Sequence, residues 1–332
     1  MKVALVLLNW NGASFLEKFL PATLAHSKEA SIYVIDNGST DNSLEILKEY
    51  PTITSLALDK NYGFAGGYNK GLNQIEADLY CLLNTDVEVP ENWLPPIVEL
   101  FQSNQEIAIL QPHLLNYANQ SQFDYAGAAG GYIDALGYAY CRGRIFDTLE
   151  EDEGQYDSLT EIFWASGACF FIRKTVFEQL GGFDADFFAH QEEIDLCWRA
   201  QNKGYKIFST AASKVFHVGG GTLPPSPFKT FLNYRNSLAM LTKNIPSNKL
   251  LPRLFLRMLL DGISGVRHLS RAEFSSVVAI LKAHFHFYKS LPNNLKKRKP
   301  AYKQHYFSRF SIVYQYFIKK NKKYSELFHQ KR

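Results

Sequence analysis

VALVLLNWNG, residues 3–12, joins an apolar β-strand directly to two asparagines and a glycine. Short apolar strands of this kind alternate with helical patterns through the first hundred residues. Strands are predicted near residues 3–8, 31–35, 53–58, 79–83 and 107–110, and helices near residues 13–26, 41–49, 65–75 and 91–103. This alternation predicts an α/β fold with a parallel, doubly wound sheet, in which ligands bind beyond the carboxyl ends of the strands.

The residues that follow the predicted strands are polar. Asn9 and Asn11 come after the first strand, and Asp36 ends the second. Asn84 and Asp86 end the fourth. Because the carboxyl ends of parallel strands meet at one edge of a sheet, we expect these side chains to converge on one ligand site.

Length and composition describe an ordinary globular protein. With 332 residues and 46% hydrophobic content, the chain can bury a full core and is long enough for one large domain with an extension. The four cysteines are far apart and lack the paired spacings of a zinc site or a disulfide framework, which favours a reduced, cytosolic compartment. We expect neither a signal peptide nor a membrane-spanning helix.

Charge divides the chain into two parts. Residues 249–332 carry 19 Lys and Arg against 3 Asp and Glu, whereas the rest of the chain carries 17 basic and 29 acidic side chains. We place a boundary at the proline-rich segment 224–227, between a first domain, 1–225, and a basic, aromatic, helical extension, 226–332. Apolar and basic residues interleave at 250–260, which suits either an anionic membrane surface or a helical bundle packed on the body. No recognisable nucleic-acid-binding module accompanies the basic charge, so we expect no nucleic-acid partner.

Asp36 precedes Asn37-Gly38-Ser39, a turn that opens the next helix. A carboxylate at this position can accept the imide N–H of uracil or thymine. The alternative is that Asp36 caps the turn. For Asp41, capping of the following helix is the favoured interpretation.

Asn84 and Asp86 lie two residues apart at the end of an apolar strand, so their side chains project to the same face. Two oxygens on one face can bind a hard divalent cation, Mg²⁺ or Mn²⁺, that bridges a diphosphate. A turn-forming Asn-Thr-Asp sequence accounts for the same residues without a metal.

Three carboxylates, those of Glu192, Glu193 and Asp195, fall within four residues at a predicted helix start. The helix macrodipole favours acids there, and Asp195 is spaced for an i,i+4 ion pair with Arg199. Flanking like charges are expected to raise the pKa of Glu193, which suits a general base that takes a proton from a sugar hydroxyl. The structural and catalytic interpretations both fit this spacing.

Two further segments have both a functional and a structural interpretation. His217 ends a strand before the glycines at 219–221, and its imidazole could complete a metal shell begun at Asp86, although a lone histidine is more often structural. NYGFAGGYN, residues 61–69, places small residues at a helix N-terminus where phosphates or ribose could approach, or where a helix could pack tightly. Residues 122–156 predict a hairpin and a mobile loop without an assigned role.

As an ordered set over about residues 3–222, these motifs resemble the inverting family 2 glycosyltransferases of the GT-A fold, especially the rhamnosyltransferase-like branch. The resembling segments are VLLNWNG at 6–12, VIDNGSTD at 34–41, NYGFAGGYN at 61–69, LNTD at 83–86, EEIDL at 192–196 and FH at 216–217. The resemblance implies a mixed α/β sheet with a Rossmann-like nucleotide-binding half, an acceptor half and a C-terminal helical extension.

The resemblance also implies roles for single residues. Asp36 would bind the pyrimidine base, and Asp86 and His217 would hold a divalent metal at the diphosphate. Glu193 would take the acceptor proton. The predicted donor site also includes Asn9, Asn11, Asn61, Gly66, Asn69 and Asn84.

Two positions depart from the family pattern. The metal motif commonly reads Asp-X-Asp, whereas here Asn84 replaces the first acid and removes one charge. The base is commonly the Asp of a Glu-Asp pair, whereas here it is the longer Glu193. Both substitutions keep an oxygen at the expected place.

The implied function is transfer of a sugar from a UDP- or dTDP-sugar to a glycan or lipid-linked acceptor in cell-surface polysaccharide synthesis. The protein would be cytoplasmic and peripheral on the inner face of the plasma membrane. A catalytically decayed GT-A carbohydrate-binding or scaffold protein is the alternative. A sugar-nucleotide pyrophosphorylase is disfavoured because its glycine-rich Arg-Lys loop is missing, and a dehydrogenase because no G-x-G-x-x-G follows the first strand.

Overall fold

The computed structural model describes residues 1–219, 226–300 and 305–328, which contain a nine-stranded sheet and a separate four-stranded sheet. The strands are β1 (Val3–Asn9), β2 (Ala30–Asp36), β3 (Thr54–Ala57), β4 (Leu79–Asn84), β5 (Val87–Glu88), β6 (Ile107–Asn116), β7 (Gly131–Ile133), β8 (Ala139–Cys141), β9 (Arg144–Ile145), β10 (Thr148–Leu149), β11 (Thr160–Glu161), β12 (Cys169–Arg173) and β13 (Lys206–His217). The helices are α1 (Ala13–His26), α2 (Ser43–Lys48), α3 (Gly63–Leu72), α4 (Pro95–Ser103), α5 (Lys174–Leu180), α6 (Glu192–Asn202), α7 (Pro227–Asn244), α8 (Ser247–Ser270) and α9 (Phe274–Lys296).

The large sheet is mixed. Its strand order is β11-β13-β6-β12-β4-β1-β2-β3, and β5 pairs with β13. Strands β1 to β4 run parallel, whereas β12 lies antiparallel between β4 and β6. The α/β fold and the mixed sheet are therefore confirmed, and the wholly parallel sheet expected from the strand–helix alternation is wrong. The reason is that β12 follows a long segment of short β-strands. A strand can join the sheet in the antiparallel direction after such a segment, whereas a parallel connection usually needs a crossover helix.

Helices cover both faces of this sheet. Strand β1 alternates between two cores: Leu5 packs in the core that contains Leu16 of α1, and Val6 packs in the core that contains Tyr68 of α3. Since successive strand residues point to opposite faces, an uninterrupted apolar strand is required between two helical layers. The sheet is thus doubly wound, and its carboxyl edge is left for ligands.

His217 ends a strand as predicted. That strand, β13, begins at Lys206, and its pairing with β6 shifts register between Thr210 and Lys214. A bulge of this kind interrupts the strand pattern in the sequence without ending the strand. In residues 122–156 the predicted hairpin is present as β7 and β8, and it belongs to the small antiparallel sheet β10-β9-β8-β7.

The C-terminal helices pack on the body. Asn244 at the end of α7 donates its Nδ2 to Asp195 Oδ1 of α6 at 2.7 Å, and α7 also packs along α9. Residues 224 and 225 of the proposed boundary lie outside the described residues, so the division into domains 1–225 and 226–332 stays a prediction. Among the described segments, no helix combines the length and the apolarity that crossing a bilayer requires.

Candidate active site

Three neighbouring parallel strands end in a row of polar side chains. Asn9 of β1 is the register partner of Asp36 of β2, and Leu8 is the partner of Asn84 of β4. Neighbouring strands lie about 4.8 Å apart, so this row spans roughly 10 Å of the sheet edge. The ends of the strands that carry Asn9, Asp36 and Asn84 therefore lie side by side at one sheet edge, as expected.

The Asp36 carboxylate is buried and hydrogen-bonded within the protein. Asn9 donates its Nδ2 to Asp36 Oδ1 at 3.0 Å, and the Ser39 backbone N–H donates to Oδ2 at 3.0 Å. The turn-capping contact is therefore present, and base recognition by Asp36 stays a prediction. Asp41 lies one residue before Asn42, the N-cap of α2, and its Oδ1 accepts from the backbone N–H of Ser43 at 3.1 Å.

Amide side chains connect the loops at this edge. Asn11 Oδ1 accepts from the Thr40 backbone N–H at 2.7 Å, which joins the loop after β1 to the turn after β2. Asn61 Oδ1 accepts from the Gly63 N–H at 2.7 Å and from Asn37 Nδ2 at 3.1 Å. Asn11 and Asn61 thus shape the loops around the proposed donor site, and their contacts with a nucleotide stay predictions.

Helix α3 lies close to the sheet. A methyl group on Gly67 would come within 2.8 Å of Leu8 Cδ1, and one on Gly66 within 3.0 Å of Tyr62 Cβ. These distances favour the packing interpretation of the glycines. Phosphate approach at Gly66 stays a prediction.

Asn69 of α3 makes two hydrogen bonds with the backbone of a single residue, Phe183. Its Nδ2 donates to the Phe183 carbonyl at 2.8 Å, and its Oδ1 accepts from the Phe183 N–H at 2.9 Å. A nucleotide contact by Asn69 remains an untested prediction.

Asp86 and His217 are in direct contact. The short strand β5 pairs antiparallel with the end of β13, with Val87 opposite His217, and this brings Asp86 beside the imidazole. His217 Nε2 lies 3.3 Å from Asp86 Oδ1, and Nδ1 lies 3.0 Å from Asp124 Oδ2. All three side chains are buried.

Two of the residues present, Asp86 and His217, are of the types that bind a divalent metal. Burial opposes a charged imidazole at His217, but hydrogen bonds with Asp124 and Asp86 outweigh it and raise the pKa to about 10. A carboxylate on one ring nitrogen commonly orients a histidine whose other nitrogen binds a metal. The metal would then replace the proton on Nε2. In the described parts of the chain no set of three or more His, Cys, Asp or Glu is arranged as a metal site, so substrate oxygens would have to supply further ligands.

Glu193 approaches the same edge from the first turn of α6. A methyl group on Gly167 would lie 3.9 Å from Glu193 Cβ. The next residue, Ala168, accepts the Asn84 backbone N–H on its carbonyl at 2.9 Å. Glu193 Cβ thus lies beside the Gly167–Ala168 segment, whose Ala168 carbonyl is bonded to the end of β4.

The pKa of Glu193 is raised, as expected, but for a different reason. Burial raises it to about 7 against the opposing effect of backbone N–H groups at the helix start. The expected cause, repulsion from flanking carboxylates, instead acts on Glu192, whose pKa is raised by burial and by the charge of Glu193.

Four consecutive side chains around Glu193 have buried polar atoms without a hydrogen-bond partner among the described residues. They are His190 Nε2, Gln191 Oε1, Glu192 Oε2 and Glu193 Oε2. Buried polar atoms are nearly always paired in native proteins. This cluster therefore has the capacity to bind a polar ligand such as a sugar hydroxyl.

Asp195 has a structural environment. Its carboxylate contacts Arg199 Nε at 2.8 Å, which confirms the expected i,i+4 ion pair, and Lys243 Nζ at 2.9 Å. Asn244 donates a further hydrogen bond. With Asp195 fully engaged, Glu193 is the carboxylate of this helix that combines a raised pKa with partial exposure.

One site residue was not predicted from the sequence. Asp124 lies in the segment without an assigned role, 93 residues before its partner His217, and no motif spacing marks it. Asp86 and His217 meet as expected, and Asn9, Asp36 and Asn84 share their sheet edge. The glycines at 220 and 221 lie outside the described residues.

Known proteins show the same sequence pattern. The profile described as glycosyl transferase family 2 matches residues 5–181, more than half of the chain. The low-salt glycan biosynthesis hexosyltransferase of Haloferax volcanii is 24% identical over 266 residues, which cover 77% of this chain and 82% of that protein. The N-acetylglucosaminyl-diphospho-decaprenol L-rhamnosyltransferase of Mycobacterium tuberculosis is 25% identical over 230 residues, which cover 64% of this chain and 74% of that protein.

A solved structure shares the fold. The crystal structure of GalNAc-T7 with UDP, GalNAc and Mn²⁺ matches with a TM-score of 0.59 and 18% identity, over 73% of this chain and 47% of that chain. This chain thus spans about half the length of that protein, and the likeness concerns the fold alone. The profile match and the mixed sheet together show that the chain belongs to glycosyltransferase family 2 and has the GT-A fold.

Proposed function

We propose that this glycosyltransferase moves a sugar from a UDP- or dTDP-sugar to a hydroxyl of a glycan or lipid-linked glycan, with inversion at the anomeric carbon. The supporting observation is the buried row of Asp86, His217 and Asp124 at the carboxyl edge of the sheet. The similarity to a glycan biosynthesis hexosyltransferase and to a diphospho-decaprenol rhamnosyltransferase supports a role in cell-surface polysaccharide synthesis.

In this proposal the sheet edge binds the donor. Asp36 accepts the imide N–H of the pyrimidine, and Asn9 holds the carboxylate in place. Asp86 and His217 hold Mg²⁺ or Mn²⁺, which when bound supplies Lewis-acid stabilisation of the leaving diphosphate. Asp124 orients the imidazole, and Asn84 offers a neutral oxygen.

Glu193 is the proposed general base. Its carboxylate takes the proton of the acceptor hydroxyl as the hydroxyl oxygen forms a bond to the anomeric carbon. The bond from that carbon to the diphosphate oxygen breaks on the opposite side, and the nucleoside diphosphate leaves. A base with a pKa of about 7 is matched to proton transfer near neutral pH.

A melting-temperature screen tests the donor assignment. We expect UDP- or dTDP-sugars with Mn²⁺ to raise the melting temperature more than either component alone, since ligand at 100 times its Kd stabilises the fold by about 2.7 kcal/mol. GDP-mannose is the control, because its purine lacks the contact assigned to Asp36. An equal shift with GDP-mannose, or no shift with any pyrimidine nucleotide sugar, would contradict the proposal.

Residues 226–332 are proposed to form an extension that faces an anionic membrane on the inner face of the plasma membrane. Two exposed apolar stripes support this: the α8 stripe, with Leu251, Phe255, Leu259 and Ile263, and the α9 stripe, with Phe274, Val278, Leu281 and Phe285. Each stripe follows the three- or four-residue spacing of one helix face. Exposed Arg267 lies on α8, Arg271 directly follows it, and Lys282 and Lys289 lie on α9. Exposed apolar side chains beside cations suit a lipid interface with anionic headgroups.

Vesicle flotation tests the membrane assignment. We expect the protein to float with phosphatidylglycerol vesicles and to stay in solution with phosphatidylcholine vesicles. Phe255→Ser with Phe285→Ser should lower recovery at least several-fold, whereas Leu159→Ser, at an exposed leucine outside the extension, should not. Equal recovery with both lipids, or none with either, would count against the membrane surface.

A further inference from the structure

The loop that leads into α6 has an unusual backbone. Phe188, His190 and Gln191 have φ angles of 66°, 69° and 73°, a region that residues other than glycine seldom occupy. Such conformations persist only where the surrounding structure enforces them. Glu193 lies two residues beyond this loop, so the loop determines where the carboxylate stands.

Asn236 of α7 holds the loop from one side. Its buried side-chain Nδ2 lies 2.9 Å from the Phe187 carbonyl, 2.8 Å from that of Ala189 and 2.7 Å from that of His190. One amide group thus contacts three loop carbonyls. One of these belongs to His190, which itself has a positive φ.

Arg235 strengthens this contact in two ways. Its Nε donates to Asn236 Oδ1 at 2.8 Å, which directs the Asn236 amino group toward the loop. Its Nη2 donates to the carbonyls of Asp186 at 3.0 Å and Phe187 at 2.9 Å. Together, Arg235 and Asn236 contact four of the five loop carbonyls from 186 to 190.

The remaining carbonyl, that of Phe188, faces helix α3. Phe188 O accepts the backbone N–H of Ala65 in the first turn of α3 at 3.2 Å. The loop is thus fixed between α3, which belongs to the nucleotide-binding half, and α7, which belongs to the C-terminal extension.

We propose that Asn236 and Arg235 are positioning residues for the proposed base, and that the C-terminal extension is therefore part of the catalytic apparatus. This inference rests on the proposed function of Glu193. The loop contacts, rather than the ion pairs of Asp195, keep the carboxylate at the distance that proton transfer from an acceptor requires. Displacement of a reacting group by about 1 Å can lower a rate 100-fold.

The titratable groups near Glu193 are Glu192, Asp195 and Cys197 of the same helix and His190 of the loop, and of these only His190 has a described hydrogen bond with Asn236, through its backbone carbonyl. A loosened loop would let water reach Glu193 and remove the burial that raises its pKa. The acidic limb of the pH–rate profile would then move from about pH 7 toward the ordinary range of a glutamate, near pH 4.3.

The experiment compares Asn236→Ala and the milder Arg235→Lys with Tyr234→Phe in the full chain. Tyr234 is the matched control because its hydroxyl bonds to Ser264 of α8 and not to the loop. The assay is release of UDP from UDP-N-acetylglucosamine, or of dTDP from dTDP-rhamnose, with Mn²⁺ and water as the acceptor. Donor KM, the pH profile and the melting temperature are measured with kcat.

We expect Asn236→Ala to lower kcat by about 10- to 100-fold, with donor KM within about twofold and the acidic limb shifted to lower pH. Arg235→Lys should show the same changes to a smaller extent, and Tyr234→Phe none. A wild-type kcat and pH profile in folded Asn236→Ala would overturn the inference, as would a loss of donor binding in parallel with kcat. Glu193→Gln in the same assay separates the two proposals: if it is fully active the base assignment fails, and if it alone is inactive the positioning role fails.

Discussion

Replacement of Glu193 with glutamine is expected to lower kcat for release of the nucleoside diphosphate by about 100- to 10,000-fold, the range that a positioned general base contributes. Glutamine keeps the shape and the backbone contacts of the side chain but cannot take a proton. Donor KM should stay within about twofold of wild type, because the residues assigned to donor binding lie on elements other than α6.

The pH dependence gives a second expected result for the same variant. Because the pKa of Glu193 is raised to about 7, wild-type activity should fall as pH decreases through 7, where the carboxylate becomes protonated. The variant should lack this limb. The measurement is kcat against pH for both proteins.

Two controls define the outcome. Glu178→Gln, at an exposed glutamate of α5, should behave as wild type. Glu193→Asp should keep part of the activity, because it restores the acid that the family commonly has at this position. Near-wild-type turnover by folded Glu193→Gln would show that another group takes the proton.

Loss of the metal site is the other large effect expected. Asp86→Asn and His217→Ala should each lower kcat/KM by at least about 100-fold, since each 1.36 kcal/mol of barrier is tenfold and metal stabilisation of a leaving group supplies several kcal/mol. The Mn²⁺ concentration that gives half-maximal activity should rise in both variants. Steady-state assays over a Mn²⁺ titration measure both quantities.

Asp124→Asn should also raise the Mn²⁺ concentration that gives half-maximal activity, but by less than Asp86→Asn or His217→Ala. Removing the partner of a metal-binding histidine typically weakens metal affinity by about 10- to 100-fold, while the two metal contacts themselves remain. Asp78→Asn is the matched control. Asp78 directly precedes β4, whereas Asp86 follows the other end of that strand, and Asp78 accepts a hydrogen bond from the Lys2 backbone N–H. Unchanged Mn²⁺ dependence in Asp86→Asn would remove Asp86 from the metal site.

The arrangement of the parallel strands β1 to β4 was predictable from the alternation of apolar runs and helical patterns. Apolar runs such as 3–8 and 79–83 end in polar residues, and the carboxyl ends of parallel strands share one sheet edge, so the strand pattern is enough to place Asn9, Asp36 and Asn84 at that edge. The i,i+4 pair of Asp195 and Arg199 is equally local. Antiparallel β12 was harder to predict, because an apolar run does not reveal the direction of a strand.

The other site contacts depend on pairing between distant segments. Asp124 meets His217 only because the excursion after β6 returns to the sheet edge beside β13, and Asn236 reaches the α6 loop only because α7 packs on the body. The origin of the raised pKa at Glu193 was also hidden, because spacing reveals neighbouring charges but not burial. Such contacts are set by tertiary structure and leave no periodic signal.

In the proposed mechanism a divalent metal would link the donor diphosphate to Asp86 and His217. Anomalous diffraction from a crystal of the full chain with UDP and Mn²⁺ tests it most directly. We predict one manganese peak bonded to Asp86 and to Nε2 of His217, with diphosphate oxygens completing its shell and the uracil against Asp36. A manganese ion bound elsewhere, with UDP distant from Asp86, would contradict the account.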